Sequence, residues 1–203
     1  MNTATIEKTV YTVSTDPVIL SVEDFISHAE CDALIRLALP GLKRSTVVSD
    51  DGSLCDHAHR TSEGTYFQRA QLPIIDRIEK RIEATFQHPV VNGEGFQVLR
   101  YPVGAEYRPH YDYFDPALPG SAIHTAKGGN RVATVLLYLN EPEEGGETVF
   151  PDLGLEFKPV KGMALYFAYP APVPDSCTLH GGAPVIKGEK YVVTKWIRER
   201  PYV

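Results

Sequence analysis

The sequence predicts an α+β fold dominated by antiparallel strands, a β-sandwich or jelly roll with two N-terminal helices packed on one sheet. Three observations predict it. Two segments in the first half carry apolar residues at helical spacing. After Pro89 the chain becomes a series of short apolar runs separated by glycine- and proline-bearing turns. The composition, 43% apolar and 23% charged over 203 residues, is that of an ordinary globular domain. No composition break or internal repeat divides the chain, so residues 17–203 read as one domain behind a flexible N-terminal arm, residues 1–16.

Pro17 to Phe25 reads as a short apolar strand through Val18, Ile19, Leu20 and Val22. Ser27-His28-Ala29-Glu30 has the S-x-x-E form of a capping box, in which the serine hydroxyl and the glutamate carboxylate satisfy each other's backbone donors. The helix it starts runs through Cys31, Leu34, Ile35 and Ala38 and stops at Pro40-Gly41. Ser45 to Arg69 is polar and contains glycine, which predicts strand fragments joined by a long mobile loop. A second helix is predicted from Leu72 to Phe86, where Ile74, Ile75, Ile78, Ile82 and Phe86 recur at helical spacing. Strands follow at Phe96–Tyr101, Tyr107–Tyr113, Val132–Leu139, Thr148–Phe150, Leu155–Lys158, Ala164–Ala168 and Tyr191–Ile197. Turns such as Gly128-Gly129-Asn130 and Glu144-Gly145-Gly146 separate them.

Charge and cysteine usage narrow the function classes. Twenty Lys and Arg against 26 Asp and Glu give a net charge of −6, a poor balance for gripping nucleic-acid phosphates or anionic lipid. No apolar run approaches the roughly 18–20 residues that span a bilayer, and Met1 to Val10 lacks the pattern of a signal peptide. Cys31, Cys55 and Cys177 are odd in number and scattered, unlike a disulfide framework or a zinc site. A reduced, cytoplasmic protein is expected.

The stretch richest in chemistry is Tyr107-Arg108-Pro109-His110-Tyr111-Asp112-Tyr113. On a strand, His110 and Asp112 project from one face, and an imidazole with a carboxylate is two thirds of the 2-His-1-carboxylate triad that holds Fe(II). Alone, H-x-D reads more readily as the polar edge of a surface strand. His180, in Leu179-His180-Gly181-Gly182, is the best candidate for the third ligand. Lys190 opens the last strand and shares parity with Val192, Thr194, Trp196 and Arg198. A lysine facing the inside of a barrel requires an anion, and a dicarboxylate would serve; a lysine at the strand mouth with its head in solvent fits the same pattern.

Further blocks stand in order along the chain: Arg60-Thr61-Ser62-Glu63-Gly64-Thr65, Gln97-Val98-Leu99-Arg100-Tyr101, Arg131-Val132-Ala133-Thr134-Val135, Glu143-Glu144-Gly145-Gly146-Glu147-Thr148-Val149-Phe150-Pro151 and Thr194-Lys195-Trp196-Ile197. With the His110 and His180 blocks, they resemble the prolyl 4-hydroxylase branch of the Fe(II)- and 2-oxoglutarate-dependent dioxygenases. The resemblance spans Pro17 to Glu199 and is strongest after Glu94. It implies a double-stranded β-helix, the jelly roll, over about 94–199. It implies His110, Asp112 and His180 as iron ligands, Lys190 as the partner of the distal carboxylate of 2-oxoglutarate, and Tyr101 as a second residue of the co-substrate pocket. It places Tyr107, Arg131 and Trp196 at the peptide substrate and makes Arg60 to Phe67 the mobile loop that closes over it. O2 is the implied second co-substrate, and ascorbate the reductant of iron after uncoupled turnover.

Two departures concern the substrate. Arg198 stands where many relatives have His after Trp-Ile, and Arg108 where Glu is common. Arg198 would alter how a prolyl carbonyl is held or favour an acidic group. Three functions therefore compete: hydroxylation of a prolyl residue in a peptide or protein, hydroxylation of a free amino acid or small metabolite, and a non-catalytic jelly-roll binding or sensor module. For a free amino acid, Arg198 and Glu63 would bind the carboxylate and the ammonium. His57 and His59 could hold a second metal but read better as a solvated loop, and His28, His88 and His124 read as surface residues. Glu143 to Glu147 reads as a solvated acidic turn and Cys177 as a small buried filler. No phosphate-binding loop is present.

Overall fold

The computed structural model describes residues 9–48, 52–55 and 59–203. In chain order its elements are β1 (Val10–Thr15), β2 (Val18–Val22), α1 (His28–Ala38), β3 (Lys43–Arg44), β4 (Val47–Val48), β5 (Leu54–Cys55), β6 (Glu63–Phe67) and α2 (Pro73–Phe86). There follow β7 (Phe96–Tyr101), β8 (Tyr107–His110), α3 (Ser121–Thr125), β9 (Arg131–Tyr138), β10 (Glu144–Gly145), β11 (Thr148–Phe150) and β12 (Leu155–Phe157). The last are β13 (Ala164–Ala168), β14 (His180–Gly182), β15 (Val185–Lys187) and β16 (Lys190–Arg198).

An eight-stranded sheet, β1-β2-β13-β9-β16-β7-β6-β3, lies across from a four-stranded sheet, β12-β11-β14-β8, in a jelly roll. Strand alternation divides the large sheet into two chemically distinct faces. Phe96, Val98, Val135, Leu137, Val193 and Ile197 face the helices, where they meet Cys31 and Leu34 of α1 and Ile75, Ile78 and Ile82 of α2. Their neighbours Leu99, Tyr101, Leu136, Tyr138 and Val192 face the small sheet and pack with Phe150 and Val185. Each such buried side chain contributes about 1.5–3 kcal/mol. The site lies on this second face.

The predicted helices form where their signals lie. Ser27 Oγ accepts from the Glu30 amide at 3.2 Å, and Glu30 Oε2 accepts from the Ser27 amide at 2.8 Å. Arg81 of α2 reaches both Glu30 oxygens at 3.0 Å, so the cap also ties the helices together. Leu72 precedes α2 without a side-chain cap, Pro73 opens the helix, and Gln87 ends it in the left-handed region at φ 59°. Among the described residues, no helix is long and apolar enough to cross a membrane.

Three expectations need correction. Residues Val10–Thr15 of the presumed arm form an edge strand paired with β2; their β-branched and aromatic side chains suit a pleated ladder despite an exposed position. Arg60 to Phe67 is no free loop. Glu63–Phe67 pairs residue for residue with β7, and Arg60 bridges to Tyr107. Gly64 eases this pairing, because a Cβ there would stand 3.0 Å from the Leu99 side chain. The strand expected to reach Tyr113 stops at His110, and the Asp112 carbonyl turns to Arg131 Nη1 at 3.2 Å. His57 lies outside the described residues. His88 and His124 are half-buried, their Nε2 atoms 2.9 Å from the Tyr166 hydroxyl and the Gly52 carbonyl. Cys177 is half-buried too, in the left-handed region at φ 52°.

Candidate metal centre and co-substrate pocket

His110 ends β8, and His180 opens β14 directly opposite it in the ladder. Gly181 allows the two strands this approach, since a Cβ there would come within 2.9 Å of the Tyr107 carbonyl. Asp112, two residues on, turns inward between the imidazoles. His110 Nε2 lies 3.6 Å from Asp112 Oδ1, and His180 Nε2 lies 3.4 Å from Oδ2.

The tautomers follow from the other ring nitrogens. His110 Nδ1 is 2.9 Å from the Arg108 carbonyl and His180 Nδ1 is 2.9 Å from the Thr178 carbonyl. A carbonyl only accepts, so both Nδ1 atoms carry the proton and both Nε2 atoms present lone pairs. Burial, then the neighbouring His180, pushes His110 below its ordinary value. Burial opposes the charge on Asp112, and positive charge at the imidazoles holds its carboxyl well below the usual range; with both imidazoles neutral, a cation among the three groups must supply that charge. Three acceptors therefore converge within 4.8 Å of one another. A divalent cation satisfies all three, and two imidazoles with one carboxylate are the donor set of Fe(II). The residues present fit that ion.

Lys190 lines the same cavity, opposite Tyr101 in the β7–β16 ladder. Its Nζ donates to the Gly146 carbonyl at 2.6 Å and lies 5.5 Å and 5.6 Å from the Tyr101 and Tyr138 ring centroids. Among the described residues no carboxylate pairs with it. Burial pushes its pKa down to about 8 against the opposing charge of Glu147. A buried ammonium with no paired carboxylate, beside three converging metal-ligating side chains, is suited to receive an anion. Thr148 lines the cavity as well and accepts from the Tyr138 hydroxyl at 2.7 Å, which leaves its own proton available to a ligand.

The cavity is also lined by two buried donors without partners, Arg60 Nε and Trp196 Nε1. Arg60 is fixed through its other nitrogens to the Thr46 carbonyl and Gln97 Oε1, both at 3.1 Å, and lies 4.7 Å over the Tyr107 ring. Tyr107 in turn stacks on His110, with centroids 3.6 Å apart. Arg131 sits 3.7 Å over Trp196 and pairs with Glu94 at 2.7 Å.

The cavity thus brings together His110, Asp112, His180, Lys190, Tyr101, Tyr107, Trp196 and Arg60, with Arg131 backing Trp196. Arg198 is not among them. It is buried, with Nε on Glu94 at 2.7 Å and Nη1 on the His124 and Gly129 carbonyls at 2.9 and 2.8 Å. Sequence reasoning missed Glu94, Thr134, Thr148 and Tyr169. For Thr134 the signal was a hydroxyl in an otherwise apolar alternation along β9; Tyr169 lies beyond the end of β13 and carried no signal.

Residues 96–198 match the family model of the 2OG-Fe(II) oxygenase superfamily. The chain is 41% identical to probable prolyl 4-hydroxylase 10 of Arabidopsis thaliana, across 97% of this chain and 74% of that protein. It is also 41% identical to prolyl 4-hydroxylase 5 of the same plant, across 94% and 71%. Among solved structures it resembles the viral collagen prolyl hydroxylase of Paramecium Bursaria Chlorella virus-1, determined as its 2OG complex. That likeness has a TM-score of 0.70 at 35% identity and covers 89% of this chain and 95% of that one. The chain belongs to the 2OG-Fe(II) oxygenase superfamily, within its prolyl 4-hydroxylase branch. It is a 2-oxoglutarate-dependent dioxygenase.

Proposed function

We propose that this chain hydroxylates a prolyl residue within a peptide or protein. The observation that carries the reading is one cavity lined by a buried ammonium with no paired carboxylate, three converging metal-ligating side chains and two unpartnered buried donors. His110, Asp112 and His180 would hold Fe(II), and Lys190 with Thr148 and Tyr101 would receive the distal carboxylate of 2-oxoglutarate. Bound there, Fe(II) supplies oxidative decarboxylation of 2-oxoglutarate by O2 to succinate and CO2, coupled to insertion of one oxygen atom into a substrate C–H bond.

The protein's own part is positioning and exclusion of water. Tyr107, stacked on His110, covers one side of the centre. Trp196 and Arg60 offer donors to backbone carbonyls of an extended chain, and their burial makes an unmet donor costly enough to select for such a substrate. A free amino acid needs partners for its carboxylate and ammonium, a role open in the sequence to Arg198 with an acidic residue such as Glu63. Arg198 is committed to Glu94, and Glu63 pairs with Arg100 at 3.1 Å. That commitment favours the peptide. Ascorbate belongs to the proposal as the reductant of oxidised iron, and the scattered cysteines support a reducing, cytoplasmic setting.

The test incubates the protein with Fe(II), 2-oxoglutarate and ascorbate against prolyl peptides and free amino acids in parallel, read by mass spectrometry. One added oxygen on a prolyl residue is expected. Hydroxylation of a free amino acid with every peptide unchanged would refute the proposal.

A further inference from the structure

Behind Asp112 lie two buried hydroxyls, those of Thr134 and Tyr169, that neither line the cavity nor take part in the proposed chemistry. Thr134 Oγ1, in the middle of β9, is 2.6 Å from Asp112 Oδ2. The Tyr169 hydroxyl, just past β13, is 2.9 Å from the same Thr134 oxygen. Thr134 is fully buried, and Tyr169 and Asp112 nearly so.

Proton counting orients the two hydroxyls. The ionised carboxylate can only accept, so the single hydroxyl proton of Thr134 goes to Asp112 Oδ2. Thr134 Oγ1 must then accept from Tyr169, whose phenol is the terminal donor. The chain of donation runs Tyr169 to Thr134 to Asp112, each bond polarising the next in a water-poor interior. At the other end of the same residue, Arg131 Nη1 holds the Asp112 carbonyl at 3.2 Å. Asp112 is therefore gripped through backbone and side chain. The grip engages Oδ2 and leaves Oδ1, on the His110 side, as the carboxylate atom without a hydroxyl partner.

We propose that Thr134 and Tyr169 are positioning residues that present Asp112 to the metal through one oxygen. This rests on the reading of His110, Asp112 and His180 as a divalent-cation site. Carboxylate ligands held by such outer hydrogen bonds lose roughly 10- to 100-fold in metal affinity when the bond is removed.

The experiment titrates Co(II) alone into the full-length, metal-stripped protein, reading affinity by calorimetry and ligand geometry from the visible Co(II) spectrum. Thr134→Val, which keeps the shape and deletes the hydroxyl, is expected to weaken Co(II) binding by about 10- to 100-fold and shift the spectrum. Thr134→Ser restores both. Tyr169→Phe, which removes one oxygen and keeps the ring, weakens binding by a smaller factor with the spectrum shifted the same way; it carries the test should Thr134→Val fail to fold. Wild-type affinity and spectrum in Thr134→Val or in Tyr169→Phe would overturn the proposal, as would a Thr134→Ser protein as weak as Thr134→Val. His180→Ala separates this from the underlying reading. If His180→Ala binds Co(II) as well as wild type, the metal site itself is misassigned.

Discussion

Replacing Lys190 by alanine removes the ammonium that lines the cavity beside Tyr101 and Tyr138 and leaves the Gly146 carbonyl without its donor. The dianionic co-substrate would then bury a carboxylate against Tyr101, Tyr138 and Thr148 with no counter-charge. Truncating one partner of a buried charged pair costs about 2–5 kcal/mol. At roughly 1.4 kcal/mol per factor of ten, the dissociation constant of 2-oxoglutarate should rise by about 30-fold to several thousand-fold. Lys190 does not touch the metal ligands, so metal content should be unchanged. The assay is calorimetric titration of 2-oxoglutarate into Mn(II)-loaded protein, with bound metal measured on the same samples. The pH dependence has a defined sign. In the free protein burial lowers Lys190 to about 8, whereas the bound carboxylate favours its charged form. Above pH 8 binding must therefore take up a proton, and wild-type affinity should fall as pH rises, approaching tenfold per unit, a slope absent from Lys190→Ala. Unchanged affinity in Lys190→Ala would refute the assignment and move the anion site elsewhere.

Three further outcomes are expected. Trp196→Phe keeps the stack under Arg131 and deletes one donor; at about 0.5–1.5 kcal/mol per hydrogen bond, kcat/KM for a prolyl peptide should fall roughly 2- to 12-fold while 2-oxoglutarate affinity stays put. Arg198→His loses bonds to two carbonyls and weakens the hold on Glu94, so thermal denaturation should show a loss of about 2–4 kcal/mol with peptide preference retained. Collapse of activity in a protein of wild-type stability would contradict that placement. Ser27→Ala removes the cap of α1, and chemical denaturation should register about 1 kcal/mol without any change in turnover.

Features encoded locally were legible in the sequence. The capping box at Ser27 and the isoleucine spacing of α2 act within a few residues of themselves, and they appear where expected. The clustering of His110, Asp112 and His180 was legible in part for a related reason: His110 and Asp112 stand two apart on the chain, whereas His180 was a candidate that only the resemblance tied to them. The elements missed depend on distant partners. Val10–Thr15 and Glu63–Phe67 look like polar connections until β2 and β7 pair with them. Arg198 shared parity with Trp196 and was read as facing substrate. Glu94, Arg131 and Arg198 meet only when three separate segments converge, and their burial together fixes Arg198 away from the cavity. Tyr169 reaches Thr134 across the β9–β13 pair, a contact that no local pattern encodes.

The most direct test of the central claim is the stoichiometry of a single reaction containing the protein, Fe(II), O2, a prolyl peptide and limiting 2-oxoglutarate. One succinate per hydroxyprolyl residue formed, with both products lost together in His180→Ala, is the predicted result. Succinate formed without hydroxyprolyl product, or hydroxyprolyl product that persists when 2-oxoglutarate is omitted, would contradict it.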